Sequence, residues 1–112
     1  MLIVYKTTNL INYKFYVGQD KNNNPKYLGS GLILNLAIKK YGSENFRKDI
    51  LEYCSSREEL NTREKFWIKL TRARELGYNI TEGGQCCNVM SYYKENNLEK
   101  YNEIIKKIIR FT

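Results

Sequence analysis

The sequence predicts an α+β domain, and three features carry that expectation. Residues 2–18, LIVYKTTNLINYKFYVG, hold two strand-like runs joined by a polar turn, and residues 46–53, FRKDILEY, suit a third strand. Helical periodicity occupies residues 32–41, 56–73 and 91–110. At 112 residues the chain is long enough for a single core that needs neither disulfides nor metal to fold.

The opening hairpin pairs Leu2–Thr7 with Lys14–Gly18, runs rich in β-branched and aromatic residues. Asn9 and Asn12 mark the turn corners, where their side chains can bond nearby backbone. A turn symmetric about the Leu10 to Ile11 bond places Thr8 opposite Tyr13 and Tyr5 opposite Tyr16. Two phenols then share a face with Cβ atoms roughly 5 Å apart, either as a packed aromatic pair or as a two-hydroxyl site.

Residues 19–31, QDKNNNPKYLGSG, read as a basic, aromatic loop containing Lys21, Lys26 and Tyr27. Ser30 is placed to cap the following helix, and the Gly-Ser-Gly turn serves either as a cap or as a cradle of N–H groups for a phosphate. In the helix 32–41 the apolar stripe is Ile33, Leu34, Ala37, Ile38 and Tyr41, with Lys39 and Lys40 off it and Gly42 as its stop. The third strand puts Phe46 and Ile50 on one face and Leu51 and Tyr53 on the other.

The helix 56–73 opens on Ser56 with Glu59 three residues later, the spacing of a capping box. At 100° per residue, Leu60, Trp67, Phe66, Leu70 and Ala73 form an apolar arc that also contains Glu64 and Arg63. A carboxylate in such an arc needs a partner, because an unpaired buried charge costs several kcal/mol. A salt bridge at the core rim and a metal site both answer that need. Residues 77–84, GYNITEGG, form a short extended segment anchored by Tyr78 and Ile80, with Asn79 facing the other way. A final helix over 91–110 carries Leu98, Tyr101, Ile105 and Ile108 on one stripe.

Composition narrows the classes. Hydrophobic residues make up 42% of the chain and mean hydropathy is −0.61. No apolar run approaches the roughly 20 residues of a membrane span, and no leader pattern is evident, so the expected location is cytoplasmic and the chain is expected not to be secreted. Cys54, Cys86 and Cys87 are odd in number and histidine is absent, which does not suit the usual zinc spacings or a disulfide framework. Net charge is +7, spread along the chain, as on a polyanion-binding surface.

In their order these segments resemble the GIY-YIG endonuclease family, particularly its phage and homing-type members. Ile3-Val4-Tyr5 stands for the first motif with its glycine replaced, and Tyr16-Val17-Gly18 for the second. LGSG (28–31), AIKKYGSENF (37–46), TREKFWIK (62–69) and GYNITEGG (77–84) continue the match. The resemblance implies a small three-stranded antiparallel sheet flanked by helices, over residues 1–87, with residues 88–112 as a helical extension. It implies a domain that cleaves DNA with a divalent metal, one Mg²⁺ or Mn²⁺ ion held by Glu64. The motif tyrosines fall on Tyr5 and Tyr16 and the family asparagine on Asn79, so Glu64 is expected on the sheet face that bears the phenols.

The chemistry suits these residue types. Phosphodiester hydrolysis needs activated water and neutralisation of charge on phosphate, and Mg²⁺ suits one carboxylate plus waters and phosphate oxygens. Tyr5 or Tyr16 is expected to relay the proton from water. The family's arginine after the second motif has no counterpart in residues 19–28, so Lys26 is taken as the catalytic cation, with Lys21 and Arg63 as other sources of charge. Lys21, Lys39, Lys40 and Arg63 are the expected DNA-binding residues. The alternative is a nucleic-acid-binding module that keeps the fold without cutting.

Overall fold

In the computed structural model, residues 1–80 are described, together with positions 98, 99, 102, 103, 105 and 106, which are helical. The rest of the expected last helix, Cys86, Cys87 and the boundary at 87/88 lie outside the described residues. Strand β1 (Leu2–Asn9), β2 (Phe15–Asp20) and β3 (Phe46–Cys54) form one antiparallel sheet in the order β2-β1-β3. Helix α1 (Leu32–Tyr41) precedes β3, and α2 (Arg57–Thr71) and the short α3 (Ala73–Leu76) follow it. Among the described residues, no helix is long and apolar enough to cross a membrane.

Strand β1 is central, and both its faces are buried. Val4 and Val17 pack with Leu60, Ile68 and Ala73 on the α2 side. On the other side Ile33, Leu34 and Ala37 of α1 pack with Phe46 and Tyr78, and Tyr16 lies against them.

The hairpin register differs from the expected one by two residues. Thr7 faces Tyr16, Thr8 faces Phe15 and Tyr5 faces Gly18. The reason lies in the turn: Asn9 and Asn12 side chains accept the Ile11 and Lys14 N–H groups, and Tyr13 takes a left-handed conformation at φ 62°. These contacts build a four-residue loop centred one residue later than expected. A slip of two preserves the face of every side chain, so Tyr5 and Tyr16 remain on one face as diagonal neighbours, ring centroids 6.4 Å apart.

Strand β3 is bulged where its partner passes from Val4 to Tyr5, which explains its imperfect alternation. Leu51 turns into the α2-side core, while Ile50 and Tyr53 are exposed. Helix α1 begins on Gly31 and not on Ser30, with no side-chain cap. Helix α2 is capped by Ser56, whose hydroxyl accepts the Glu59 N–H, and the Glu59 carboxylate accepts from the Ser55 hydroxyl at 2.9 Å. It ends at Thr71, two residues early, because Arg72 turns left-handed at φ 58°. The buried stripe is Leu60, Glu64 and Ile68, at i, i+4 and i+8, whereas Phe66 and Leu70 are exposed.

After α3 the chain turns back onto the free edge of β2. Gly77 is required there, since a Cβ would strike the Phe15 carbonyl oxygen. The Tyr78 N–H donates to that carbonyl, and Asn79 pairs its side chain with Val17: Oδ1 accepts the Val17 N–H at 2.9 Å and Nδ2 donates to its carbonyl at 2.8 Å. Asn79→Ala leaves the N–H and the carbonyl of buried Val17 unsatisfied, which costs roughly 2–4 kcal/mol. Its thermal melt, followed by circular dichroism, should fall by at least about 8 °C.

Candidate active site

Tyr5 is 1% exposed and enclosed by aromatic neighbours on the α1 face. Its ring lies tilted against Tyr16 and edge-on to Tyr27 at 6.1 Å. Burial, then the neighbouring phenols Tyr16 and Tyr27 and the Asp20 carboxylate, push its pKa far above the ordinary phenol value. The packing that raises it also screens the Tyr5 ring from bulk water.

Tyr16 is half-buried. The glycines of the two motifs make room for its ring: a Cβ on Gly18, Gly29 or Gly31 would come within 2.7, 2.9 or 2.6 Å of ring carbons. The Gly-Ser-Gly turn thus walls a tyrosine as well as starting a helix.

Glu64 approaches the sheet from the other side. Its stripe on α2 meets the face of Val4 and Val17, and its carboxylate accepts a hydrogen bond from Gln19 Nε2 at 3.1 Å. The same amide donates to Asn61 Oδ1 at 2.8 Å. Gln19 pairs with Val4 on the α2 face, whereas Tyr5 pairs with Gly18 and Tyr16 with Thr7 on the α1 face. The expectation that Glu64 shares the phenols' face is therefore corrected: α1 already covers that face, and α2 can only reach the sheet from behind. Gln19, which bonds Glu64, and Tyr27, which packs on Tyr5, both stand at the C-terminal end of edge strand β2. A shallow cleft there is lined by Gln19, Asp20, Lys21, Asn22, Asn24 and Tyr27.

Beside the Glu64 carboxylate the Asn61 amide oxygen accepts from the same Gln19 Nε2, and hard oxygen donors of this kind fit Mg²⁺ or Mn²⁺. Asp20 does not add a second ligand. Its oxygens accept the N–H groups of Asn22 and Asn24 at 2.9 and 2.8 Å and the Lys48 ammonium at 3.0 Å. Burial alone would raise the Asp20 pKa, but these three donors outweigh it and hold the carboxyl below its usual range.

A different group, Glu52 and Cys54 of β3 with Glu59 of α2, places three donor atoms within 4.8 Å of one another. Glu52 Oε1 already accepts from Arg63 at 2.7 Å and from Trp67 at 2.9 Å, and these bonds lower its pKa. Burial and the two carboxylates hold the Cys54 thiol above its ordinary value, hence protonated.

The other sequence-derived residues scatter. Arg63 is engaged with Glu52 and stacks on the Phe66 ring at 4.1 Å, so its fork faces β3 and not the cleft. Lys39 and Lys40 are exposed in the last turn of α1, whose following turn bonds the hairpin tip through Leu10 N–H and the Asn45 carbonyl. From Val4, opposite Gln19, to Asn9 at that tip is five strand residues, roughly 17 Å. Lys21 lines the cleft, and Lys26 is exposed on the same loop with its N–H bonded to Asn24 Oδ1. Asn79 is 4% exposed and bonds both backbone groups of Val17, so it positions the strand between Tyr16 and Gly18.

Sequence reasoning missed Gln19, Asn61, Asp20, Tyr27 and Lys48. Lys48 is the most informative, since its side chain is only 7% exposed. It pairs with Asp20, donates to the Asn24 carbonyl at 2.7 Å and lies over the Tyr5 ring at 4.4 Å. Its signal was a charge two residues from Phe46 on the inward face of a strand. Removing one partner of a buried pair costs roughly 3–5 kcal/mol.

The GIY-YIG catalytic domain model matches residues 1–79, and the chain belongs to the GIY-YIG family. Putative endonuclease segE of Enterobacteria phage T4 is 36% identical over 107 residues, covering 88% of this chain and 52% of that protein. Putative endonuclease segB of the same phage is 48% identical over 84 residues, covering 72% and 38%. The chain thus spans about half or less of the length of these relatives. Its fold is that of the catalytic domain of the intron endonuclease I-TevI. One structure of that domain, an alanine mutant, superposes with a TM-score of 0.61 at 28% identity, covering 77% of this chain and all of that one.

The depressed carboxylates have a consequence in acid. Asp20 and Glu52 stabilise the fold above the unfolded carboxylate pKa of about 4, and that contribution is lost as pH falls through their lower folded values. Melting temperature should therefore drop below about pH 4, and Glu52→Gln should be less acid-sensitive than the parent in the same melts.

Proposed function

We propose that this chain is the nuclease domain of a DNA endonuclease of the phage homing type, dependent on a divalent metal ion held by Glu64. The observation that carries this reading is Glu64 itself: a carboxylate 6% exposed, at the centre of the inward stripe of α2, oriented by the neutral amide of Gln19. An ordinary core would place an aliphatic residue there. Family membership and the named activity of the T4 relatives support the same conclusion.

A divalent ion at Glu64 would neutralise charge gathering on the phosphate and make water nucleophilic at neutral pH. The chain's own residues supply the frame for that chemistry. Gln19 fixes the Glu64 carboxylate through its Nε2. Lys21 and Lys26, on the cleft loop, attract the DNA backbone. Tyr16 is held by the three glycines and by the Asn79 anchor on Val17, its neighbour on the same strand. In the reaction a water oxygen bonds to phosphorus, one bridging P–O bond breaks, and the departing oxygen gains a proton.

Supercoiled plasmid with Mg²⁺ or Mn²⁺ tests this. Wild type should nick it, EDTA should abolish nicking, and Glu64→Gln should slow it by more than about a hundredfold, the scale of losing a preorganised electrostatic group. DNA binding by Glu64→Gln should persist and weaken with added salt. Nicking that survives both EDTA and Glu64→Gln would remove the metal from the mechanism. Salt-sensitive binding with no cleavage of any DNA by wild type would favour the non-cutting module.

A further inference from the structure

The phenol of Tyr5 is buried beneath its neighbours. Next to it stands Tyr27. It is half-buried, packs edge-on against Tyr5, and lines the cleft together with Gln19, the residue whose amide binds Glu64. Tyr27, from the aromatic cluster of the α1 face, and Gln19, the partner of the α2-face carboxylate, therefore line one cleft. Lys21 stands on its wall and Lys26 beside it on the same loop.

The position of Tyr27 is fixed with unusual thoroughness for a loop residue. Its N–H donates to the Asn24 carbonyl at 3.0 Å, and that carbonyl also accepts the Lys48 ammonium. Asn24 is in turn tied to Asp20 through its own N–H. The Lys48 ammonium lies 5.5 Å from the Tyr27 ring centroid and 4.4 Å from that of Tyr5, so one buried cation sits over both rings and grips the loop between them. At the other end of the loop the Thr7 hydroxyl donates to the Leu28 carbonyl at 2.6 Å. Pairing with Lys48 also neutralises Asp20, which would otherwise repel a phosphate at the cleft.

We propose that Tyr27 is a phenol that meets the scissile phosphate, donating a hydrogen bond to a non-bridging oxygen, and that the buried Lys48–Asp20 pair is what positions it. The proposal rests on the nuclease reading above. Tyr27 keeps its proton through the turnover and gains strength as donor when charge builds on that oxygen. Lys48 touches no substrate and acts through Tyr27 and its loop.

Steady-state cleavage of a DNA duplex with Mg²⁺ separates the roles. Tyr27→Phe keeps the ring against Tyr5 and should lower kcat about a hundredfold while KM changes by less than about threefold. The double variant Asp20→Asn with Lys48→Met removes both charges together, leaving neither alone in the interior. It should melt cooperatively and bind DNA, yet lose at least about tenfold in kcat with KM unchanged. If Tyr27→Phe cuts like wild type while Glu64→Gln does not, this proposal falls and the nuclease reading stands. Wild type that cuts no DNA overturns both. A double variant that folds and cuts like wild type removes Lys48 from the proposal, and if it fails to fold, Tyr27→Phe decides alone.

Discussion

Burial of strand β1 on both faces is the constraint from which the rest follows. With only three strands, the sheet has one central member, and Ile3, Val4, Tyr5 and Thr7 along it are essentially inaccessible. Helix α1 must cover one side and α2 the other. No side chain of α2 can then reach the face of the tyrosines, and no tyrosine can reach that of Glu64. Whatever chemistry the two sets share has to take place where the sheet ends, beyond Gly18, and there the chain supplies Gln19, Asp20 and a loop bound down upon them.

Much of the fold was legible in the sequence because its signals are local. Helix α1 matched its periodic stripe at both ends, and the Ser56 cap was visible from a serine and a glutamate at the right spacing. What could not be read were quantities set by tertiary geometry. The hairpin register depended on two asparagine side chains and one left-handed tyrosine, and α2 stopped at an arginine whose left-handed turn no composition rule signals. The slip of two did no harm to the facing of Tyr5 and Tyr16, because strand faces repeat with the same period.

The site was legible in part, by a rule that could have been applied more widely. Glu64 drew attention as a charge within an apolar arc, and it lies in the middle of the buried stripe. Lys48 satisfies the same rule on a strand, alternating with Phe46, yet a bulge two residues later blurred that strand's pattern. Arg63 satisfied it too, and its partner is Glu52, an ion pair bridging helix and strand. A charge in an apolar pattern therefore locates a partner without saying what kind of partner it is. Lysines 39 and 40 illustrate the converse: abundant surface charge carries little positional information.

The pairing of Asn79 with Val17 has one more consequence. A primary amide offers one acceptor and one donor at nearly the spacing of a peptide group, so Asn79 stands in for a single residue of a fourth strand. With the Tyr78 N–H on the Phe15 carbonyl, the outward backbone groups of Val17 and the carbonyl of Phe15 are already taken. A strand arriving from another molecule would find the first half of β2 already covered, so this stretch of the sheet edge is shielded from β-type self-association by two residues of the same chain.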